Sequence, residues 1–174
     1  MSKKNWVVGA WIALSGVALL PLAGEGQATR EPVDANWVLS ANPFLLLAEW
    51  VNVDLERKVG DSAALDFQGS LITLDGGDED YMSLNATYRF YPQGAALTGF
   101  YFGPKVGVYR VDDLADEVTV FGAGFELGYN WLLGVNRNFA LGLGIGASRL
   151  FGGDLDDNSA FLPTVRIVNV GWAF

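Results

Sequence analysis

The sequence contains no cysteine and no histidine among its 174 residues. The absence of cysteine excludes disulfides, thiolate metal sites and thiol nucleophiles. The absence of histidine removes the commonest general base and the commonest metal ligand. Lys and Arg number only 11 against 20 Asp and Glu, so the net charge is −9. This balance argues against nucleic-acid binding, because counterion release requires clustered cations. We therefore expect no enzymatic activity, no cofactor and no nucleic-acid partner.

Long hydrophobic runs are confined to the first segment of the chain. Lys3 and Lys4 precede an apolar stretch from Trp6 to Leu22, which a small and polar stretch follows up to Ala28. This order is typical of a signal peptide cleaved after Ala28. An uncleaved anchor is the alternative, but 17 apolar residues are at the lower limit for spanning a bilayer. The sequence predicts a signal peptide in 1–28, a short lead in 29–35 and one domain in 36–174.

Beyond the first segment, apolar and polar residues alternate with a period of two, which predicts strands. The clearest example is Met82 to Phe90, and the other segments are Trp37–Leu47, Val51–Glu56, Leu65–Leu71, Phe100–Tyr109, Phe121–Trp131, Phe139–Ser148 and Phe161–Phe174. The boundary near Ala48 and Glu49 is the weakest, and Trp37 to Lys58 could instead form one bent strand. We expect eight strands, because closed membrane barrels usually have an even number.

The connections between these segments alternate in charge. Connections 75–80, 112–117 and 152–158 hold eleven of the 20 acidic residues and no Lys or Arg. Connections 58–61, 92–96 and 134–138 hold one acidic and two basic residues. In an antiparallel meander, alternate connections lie at opposite ends. The acidic connections are therefore expected to gather at one rim.

The composition of the two strand faces distinguishes a membrane barrel from a soluble one. A membrane barrel directs apolar residues outward and polar residues inward, with aromatic girdles at both interfaces. The polar faces here carry mostly Gly, Ser, Asn, Gln and Tyr, and the apolar faces are aromatic near their ends. This pattern favours an all-β fold, an eight-stranded antiparallel up-and-down transmembrane β-barrel. A soluble secreted barrel that binds an apolar ligand is the alternative.

The last strand carries a family resemblance. Leu162 to Phe174 resembles the C-terminal strand of bacterial outer-membrane barrels, with apolar residues at alternate positions before a final Phe. Asn42–Leu47, Asp54–Arg57 and Leu127–Leu133 are similar to segments of a family of small outer-membrane barrels of unassigned function. The resemblance covers nearly all of 37–174. The barrels that this segment resembles are eight-stranded and OmpA- or OmpX-like.

This resemblance implies a bacterial outer-membrane location and contact with outer-membrane lipid. Recognition by the barrel-assembly machinery and periplasmic chaperones would then involve Val170, Trp172 and Phe174. The even strand number implies that both termini are periplasmic, and we expect a monomer. Arg166 shares the face of Phe174 under strict alternation, so it is expected to face lipid. Arg110 and Arg149 also fall on outward faces, near one rim, where they could meet lipid phosphates.

The interior of an eight-stranded barrel is filled by side chains or holds one small ligand. The residues expected to form a polar network there are Asp54, Glu56, Asp66, Gln68, Asn85, Arg89, Lys105 and Glu126. A plugged core of charge pairs is favoured, because a buried carboxylate needs a cation or hydrogen bonds. Tyr101 and Tyr109 are expected to block the interior. The predicted role is structural or surface interaction, and a narrow pore or small-ligand carrier is the alternative.

Two other patterns suggest binding sites only weakly. The alternating glycines of 142–146 lack the spacing and following helix of a phosphate loop, so they are predicted to make room for large side chains opposite. Among the acidic connections, Asp78, Asp80, Asp154 and Asp156 are weak candidates for binding calcium or magnesium. They lack the spaced ligands and closing Glu of a calcium loop, so no metal is expected.

Overall fold

The computed structural model describes residues 33–74, 79–113, 116–152 and 161–174. The predicted signal peptide, the start of the lead and most of the acidic connections lie outside the described residues. Among the residues that are described, no helix is long and apolar enough to cross a membrane.

Eight antiparallel strands form a closed ring in which each strand pairs with the next in sequence. The elements are β1 (Trp37–Ala41), α1 (Pro43–Leu46), β2 (Trp50–Gly60), β3 (Ala63–Leu74), β4 (Glu79–Phe90), β5 (Gly99–Asp113), β6 (Asp116–Leu133), β7 (Phe139–Phe151) and β8 (Phe161–Ala173). Strand β8 pairs with β1, so that Leu39 lies opposite Trp172. The all-β prediction and the ring of eight strands are confirmed.

The first strand is shorter than predicted. It ends at Ala41, because Asn42 begins α1 by accepting hydrogen bonds at its side-chain oxygen from the amides of Phe44 and Leu45, both at 3.0 Å. Pro43 occupies the first position of the helix, where its missing amide is not needed. The predicted strand Trp37–Leu47 was therefore wrong beyond Ala41, as was the alternative of one bent strand to Lys58.

The described side chains are distributed inside out. Along β4, Leu84 is 60% exposed whereas its inward neighbours Ser83 and Asn85 are buried. Other large apolar side chains exposed on the outer surface are Phe67, Val106, Phe125, Ile145 and Trp172. Soluble proteins show the opposite distribution, since their large apolar residues are most often buried and their charged residues are mostly exposed. The outer surface is thus apolar and the interior is polar.

The two ends of the ring differ in their connections. The terminal end holds the first residue of β1, the last residue of β8 and the connections 61–62, 91–98 and 134–138. The loop end holds α1 and the connections that join β3 to β4, β5 to β6 and β7 to β8. The three acidic connections join strands at the loop end, although their side chains lie outside the described residues.

A β-bulge interrupts β8. Gly142 of β7 pairs with Asn169, whereas Gly144 pairs with Arg166. Residues 167–168 therefore lie opposite the single residue between the two glycines, which is the arrangement of a bulge. The backbone marks the site, because Val168 has φ of 40°, in the left-handed region.

The bulge reverses the alternation of the strand. On its C-terminal side Trp172 faces outward, and on its N-terminal side Val165 faces outward although it is an odd-numbered residue. Arg166 consequently points into the ring, where it is 8% exposed. The prediction that Arg166 faces lipid was wrong, because strict alternation does not account for the extra residue of a bulge.

Candidate functional site: the interior charge cluster

Arg89 is the centre of a charge cluster in the ring interior. Its side chain is fully buried, and its guanidinium nitrogens lie 2.8 Å from carboxylate oxygens of Glu56, Asp66 and Glu126. These three residues belong to β2, β3 and β6, so one cation joins three strands to β4. The planar, five-donor guanidinium suits several carboxylates at once better than an ammonium does.

Asp66 depends on Arg89 more than the other carboxylates do. It lies directly opposite Glu56 in the pairing of β2 with β3, which brings two like charges together. The Arg89 contact is an ion pair outside hydrogen-bond geometry, and neither carboxylate oxygen of Asp66 has a hydrogen-bond partner within the described chain. Glu56 in contrast accepts hydrogen bonds from Arg89, Tyr91 and Asn130.

Lys105 connects Arg89's cluster to Asp54. Its Nζ lies 3.5 Å from Glu126 Oε2 and donates to Gln68 Oε1 at 3.3 Å. Gln68 Nε2 then donates to Asp54 Oδ1 at 2.7 Å. This chain of contacts links β6, β5, β3 and β2 across the interior.

Arg166 is a third interior cation, and it was not predicted from the sequence. Its Nε lies 3.2 Å from Asp54 Oδ2, and its terminal nitrogens donate to Tyr101 Oη, Asn130 Oδ1 and Ser40 Oγ. A signal existed in the sequence, since four inward acids were matched by only two inward bases. A charged residue on a face expected to meet lipid also indicates a break in the alternation.

The interior tyrosines occupy the central space. Tyr101 is fully buried, donates to Glu126 Oε1 at 3.0 Å and lies 4.5 Å beneath the Arg89 guanidinium. Tyr109 is 2% exposed and donates to Asn85 Oδ1 at 2.6 Å. Both side chains are therefore buried in the interior of the ring.

The inward glycines provide the room for these large side chains. A Cβ added at Gly128 or Gly144 would lie 2.4 or 2.7 Å from Tyr101 Oη. A Cβ at Gly122 would lie 2.6 Å from the Tyr109 ring, and one at Gly142 would lie 3.2 Å from the Arg166 guanidinium carbon. The space-making role predicted for the glycines of 142–146 is therefore confirmed at Gly142 and Gly144.

The connection 91–98 folds into the terminal end of the ring. Tyr91 and Leu97 are fully buried in an apolar cluster whose other members include Val38, Ala64, Leu132, Ala140 and Ala173. Burial raises the pKa of Tyr91, and the neighbouring Glu56 carboxylate raises it further, so the hydroxyl keeps its proton and donates to Glu56. This closure was not predicted from the sequence, although Tyr91 and the run Ala95–Leu97 are unusually apolar for a connection.

A small cavity lies beside the charge cluster. A cavity of about 10 Å³ lies between Leu97 and Arg166 and is also lined by Ser40, Asn130 and Asn169. That volume corresponds to about one water molecule. The cluster can thus cross-link strands through paired charges, and this cavity cannot take a solute larger than water.

The remaining predicted site residues lie elsewhere. Val170, Trp172 and Phe174 follow the bulge on the outward face, and Trp172 is 53% exposed. Asp78, Asp154 and Asp156 lie outside the described residues, and only the backbone of Asp80 is described, in β4. Within the part of the chain that the structure describes, no group of three or more Asp or Glu could hold a metal ion.

Comparison with known proteins identifies no relative. The chain matches no family model, no curated protein and no solved structure. The closed antiparallel ring is therefore shown by the structure alone. The resemblance to small outer-membrane barrels stays a prediction.

Proposed function

We propose that the chain is a bacterial outer-membrane β-barrel with a structural or surface-interaction role and no catalysis. The observation that carries this proposal is the inside-out distribution of side chains. Arg89 and Lys105 are buried, whereas Leu84 and Val106 are 60% and 57% exposed. In water such an outer surface would be costly, and in a bilayer it is the favourable arrangement.

The strand lengths and the closure support the same proposal. Strands β2 to β8 have between 11 and 18 residues, and a tilted strand needs about 9–11 residues to cross the hydrocarbon core. Because β8 pairs with β1, every strand has two neighbours. Closure of this kind satisfies the backbone polar groups that lipid cannot hydrogen-bond.

The interior charge pairs and the buried connection 91–98 support a plugged interior and a structural role over a pore or a solute carrier. Three cations bind four carboxylates across the interior, and the connection 91–98 covers the terminal end. With both termini periplasmic, the loop end and its acidic connections would face outward from the cell. The proposed partners are outer-membrane lipid and, during biogenesis, the barrel-assembly machinery and periplasmic chaperones.

Detergent dependence tests the membrane proposal. The purified protein should be monodisperse and β-rich in micelles and should aggregate once detergent is removed. A monomer that stays folded in buffer alone would contradict the proposal and favour the soluble ligand-binding barrel.

Planar-bilayer recording tests the plugged interior. The inserted protein should show no discrete conductance steps. Discrete steps whose size changes in Arg89→Ala would overturn the plugged interior and favour the pore.

A further inference from the structure

The outer surface carries a groove that the proposed function does not by itself use. The groove lies across β3 to β7, has a volume of about 520 Å³ and is open along one side. Pockets for small molecules have about 300–1,000 Å³. The groove is therefore large enough to hold part of a lipid chain in place.

Strand pairing shows how the groove arises. One outward row, read across β3 to β7, consists of Phe67, Ala86, Val106, Ala123 and Arg149. The next row, two residues nearer the loop end, runs from Leu84 to Phe151. The small side chains of Ala86 and Ala123 form the floor between larger neighbours such as Phe67 and Phe121, all of which line the groove.

A cation lies at the edge of this apolar groove. Arg149 is exposed, and its position pairs directly with Ala123 of the groove floor. Its guanidinium lies 5.4 Å from the centre of the Phe151 ring, so the side chain extends toward the loop end. Arg110, two residues beyond Val108, holds a second outward position in the same region. No carboxylate occurs among the described residues of these outward rows.

We propose that this groove binds one anionic phospholipid, with an acyl chain between Phe67 and Phe121 and the phosphate at Arg149. The inference rests on the proposed function, since the outer surface must face a bilayer. Charge complementarity supports the assignment of a phosphate to this site, because an arginine can bind a phosphate in a bidentate manner. The apolar lining complements the acyl chain, and the cation at the edge of the groove complements the headgroup phosphate.

Native mass spectrometry tests the proposal on the full protein in micelles. The probes are phosphatidic acid and phosphatidylcholine with the same acyl chains at equal concentration. The wild type should retain phosphatidic acid in preference to phosphatidylcholine. One cation near an anionic lipid surface contributes about 1 kcal/mol, so Arg149→Gln should lower the retained phosphatidic acid about fivefold. Retention of phosphatidylcholine should change little, because its choline cation offsets the charge of its phosphate.

Arg57→Gln is the matched control. Arg57 is an exposed arginine near the terminal end, with its guanidinium 5.0 Å from the Trp37 ring. Its substitution should leave lipid retention as in the wild type. Equal losses in Arg57→Gln and Arg149→Gln would show general charge attraction and would overturn the proposal, as would no loss in Arg149→Gln.

A second variant tests the groove itself. Ala123→Phe fills the floor and should reduce retention of both lipids, while excess inorganic phosphate should not displace phosphatidic acid from the wild type. Unchanged retention in Ala123→Phe, or displacement by inorganic phosphate, would overturn the groove as the binding site. A folded, detergent-dependent protein that fails these tests refutes the lipid site alone. A protein that is folded without detergent refutes the proposed function.

Discussion

Removal of the Arg89 guanidinium is the most informative perturbation of the interior charge cluster. In Arg89→Met, Glu56 keeps its hydrogen bond from Asn130 at 3.0 Å, and Glu126 keeps Lys105 at 3.5 Å. Asp66 keeps no described ion pair or hydrogen bond, because Arg89 is its salt-bridge partner. The buried Asp66 carboxylate thus loses its described ion-pair partner.

The expected loss of stability follows from the one carboxylate that loses its ion-pair partner. Leaving one charge of a buried pair without its partner costs about 3–5 kcal/mol. The free energy of unfolding of Arg89→Met should fall by that amount, which is more than about a hundredfold in the equilibrium constant. The control Arg57→Met removes an exposed cation over Trp37 and should cost no more than about 1 kcal/mol.

Equilibrium urea unfolding in phospholipid vesicles, followed by tryptophan fluorescence, measures both variants. Asp66→Asn introduced into Arg89→Met should recover a large part of the loss, because the uncompensated charge is then gone. A loss in Arg89→Met no larger than that in Arg57→Met would contradict the ion-pair explanation. Absence of recovery on adding Asp66→Asn to Arg89→Met would also contradict it.

Three further substitutions test separate features of the ring. Asp66→Asn alone should lower the free energy of unfolding by no more than about 1 kcal/mol, or should raise it, because it removes one of two like charges placed opposite each other. A loss as large as that of Arg89→Met would contradict this prediction. Gly128→Ala should destabilise by about 1–3 kcal/mol or more, since its Cβ would lie 2.3 Å from the Leu143 carbonyl oxygen. In the control Gly69→Ala, the added Cβ would lie 3.7 Å from its nearest atom, of Leu84, so this substitution should be neutral. Equal urea midpoints for Gly128→Ala and Gly69→Ala would contradict the packing explanation. Leu97→Ala should lower the free energy of unfolding by about 2–5 kcal/mol, because Leu97 is fully buried. The control Leu47→Ala should lower it little, because Leu47 is 86% exposed. Similar losses in the two variants would show that 91–98 does not close the terminal end.

The sequence was sufficient to predict the ring and the side of each main strand that faces inward. Asp54, Glu56, Asp66, Arg89, Lys105 and Glu126 all lie where a period of two puts them, because one repeated pattern constrains every regular strand. The pairing of these charges with one another was not predictable, since it depends on the stagger of neighbouring strands. Alternation alone does not give that stagger.

The errors share a physical cause, which is a local departure from regular strand geometry. Arg166 was misplaced because the bulge at 167–168 adds one residue to the strand. The positive φ of Val168 at this bulge is not indicated by the sequence. The first strand was extended too far because the apolar run 44–47 resembles a buried strand, although Asn42 and Pro43 form a helix start. The closure by 91–98 was missed because a connection has no periodicity from which burial can be predicted.

Lipid-restricted quenching measures whether the outer surface of the ring lies in the bilayer, and the absence of native cysteine makes single-cysteine labelling simple. A fluorophore would be attached in turn at Leu84, Val106 and Ile145, which are exposed near the middle of β4, β5 and β7, and at Val135, which is exposed in the connection 134–138. In vesicles whose acyl chains carry a quencher, the first three labels should be strongly quenched and the Val135 label should not. Equal quenching at all four positions, or none at any, would contradict the account of an apolar outer surface embedded in lipid.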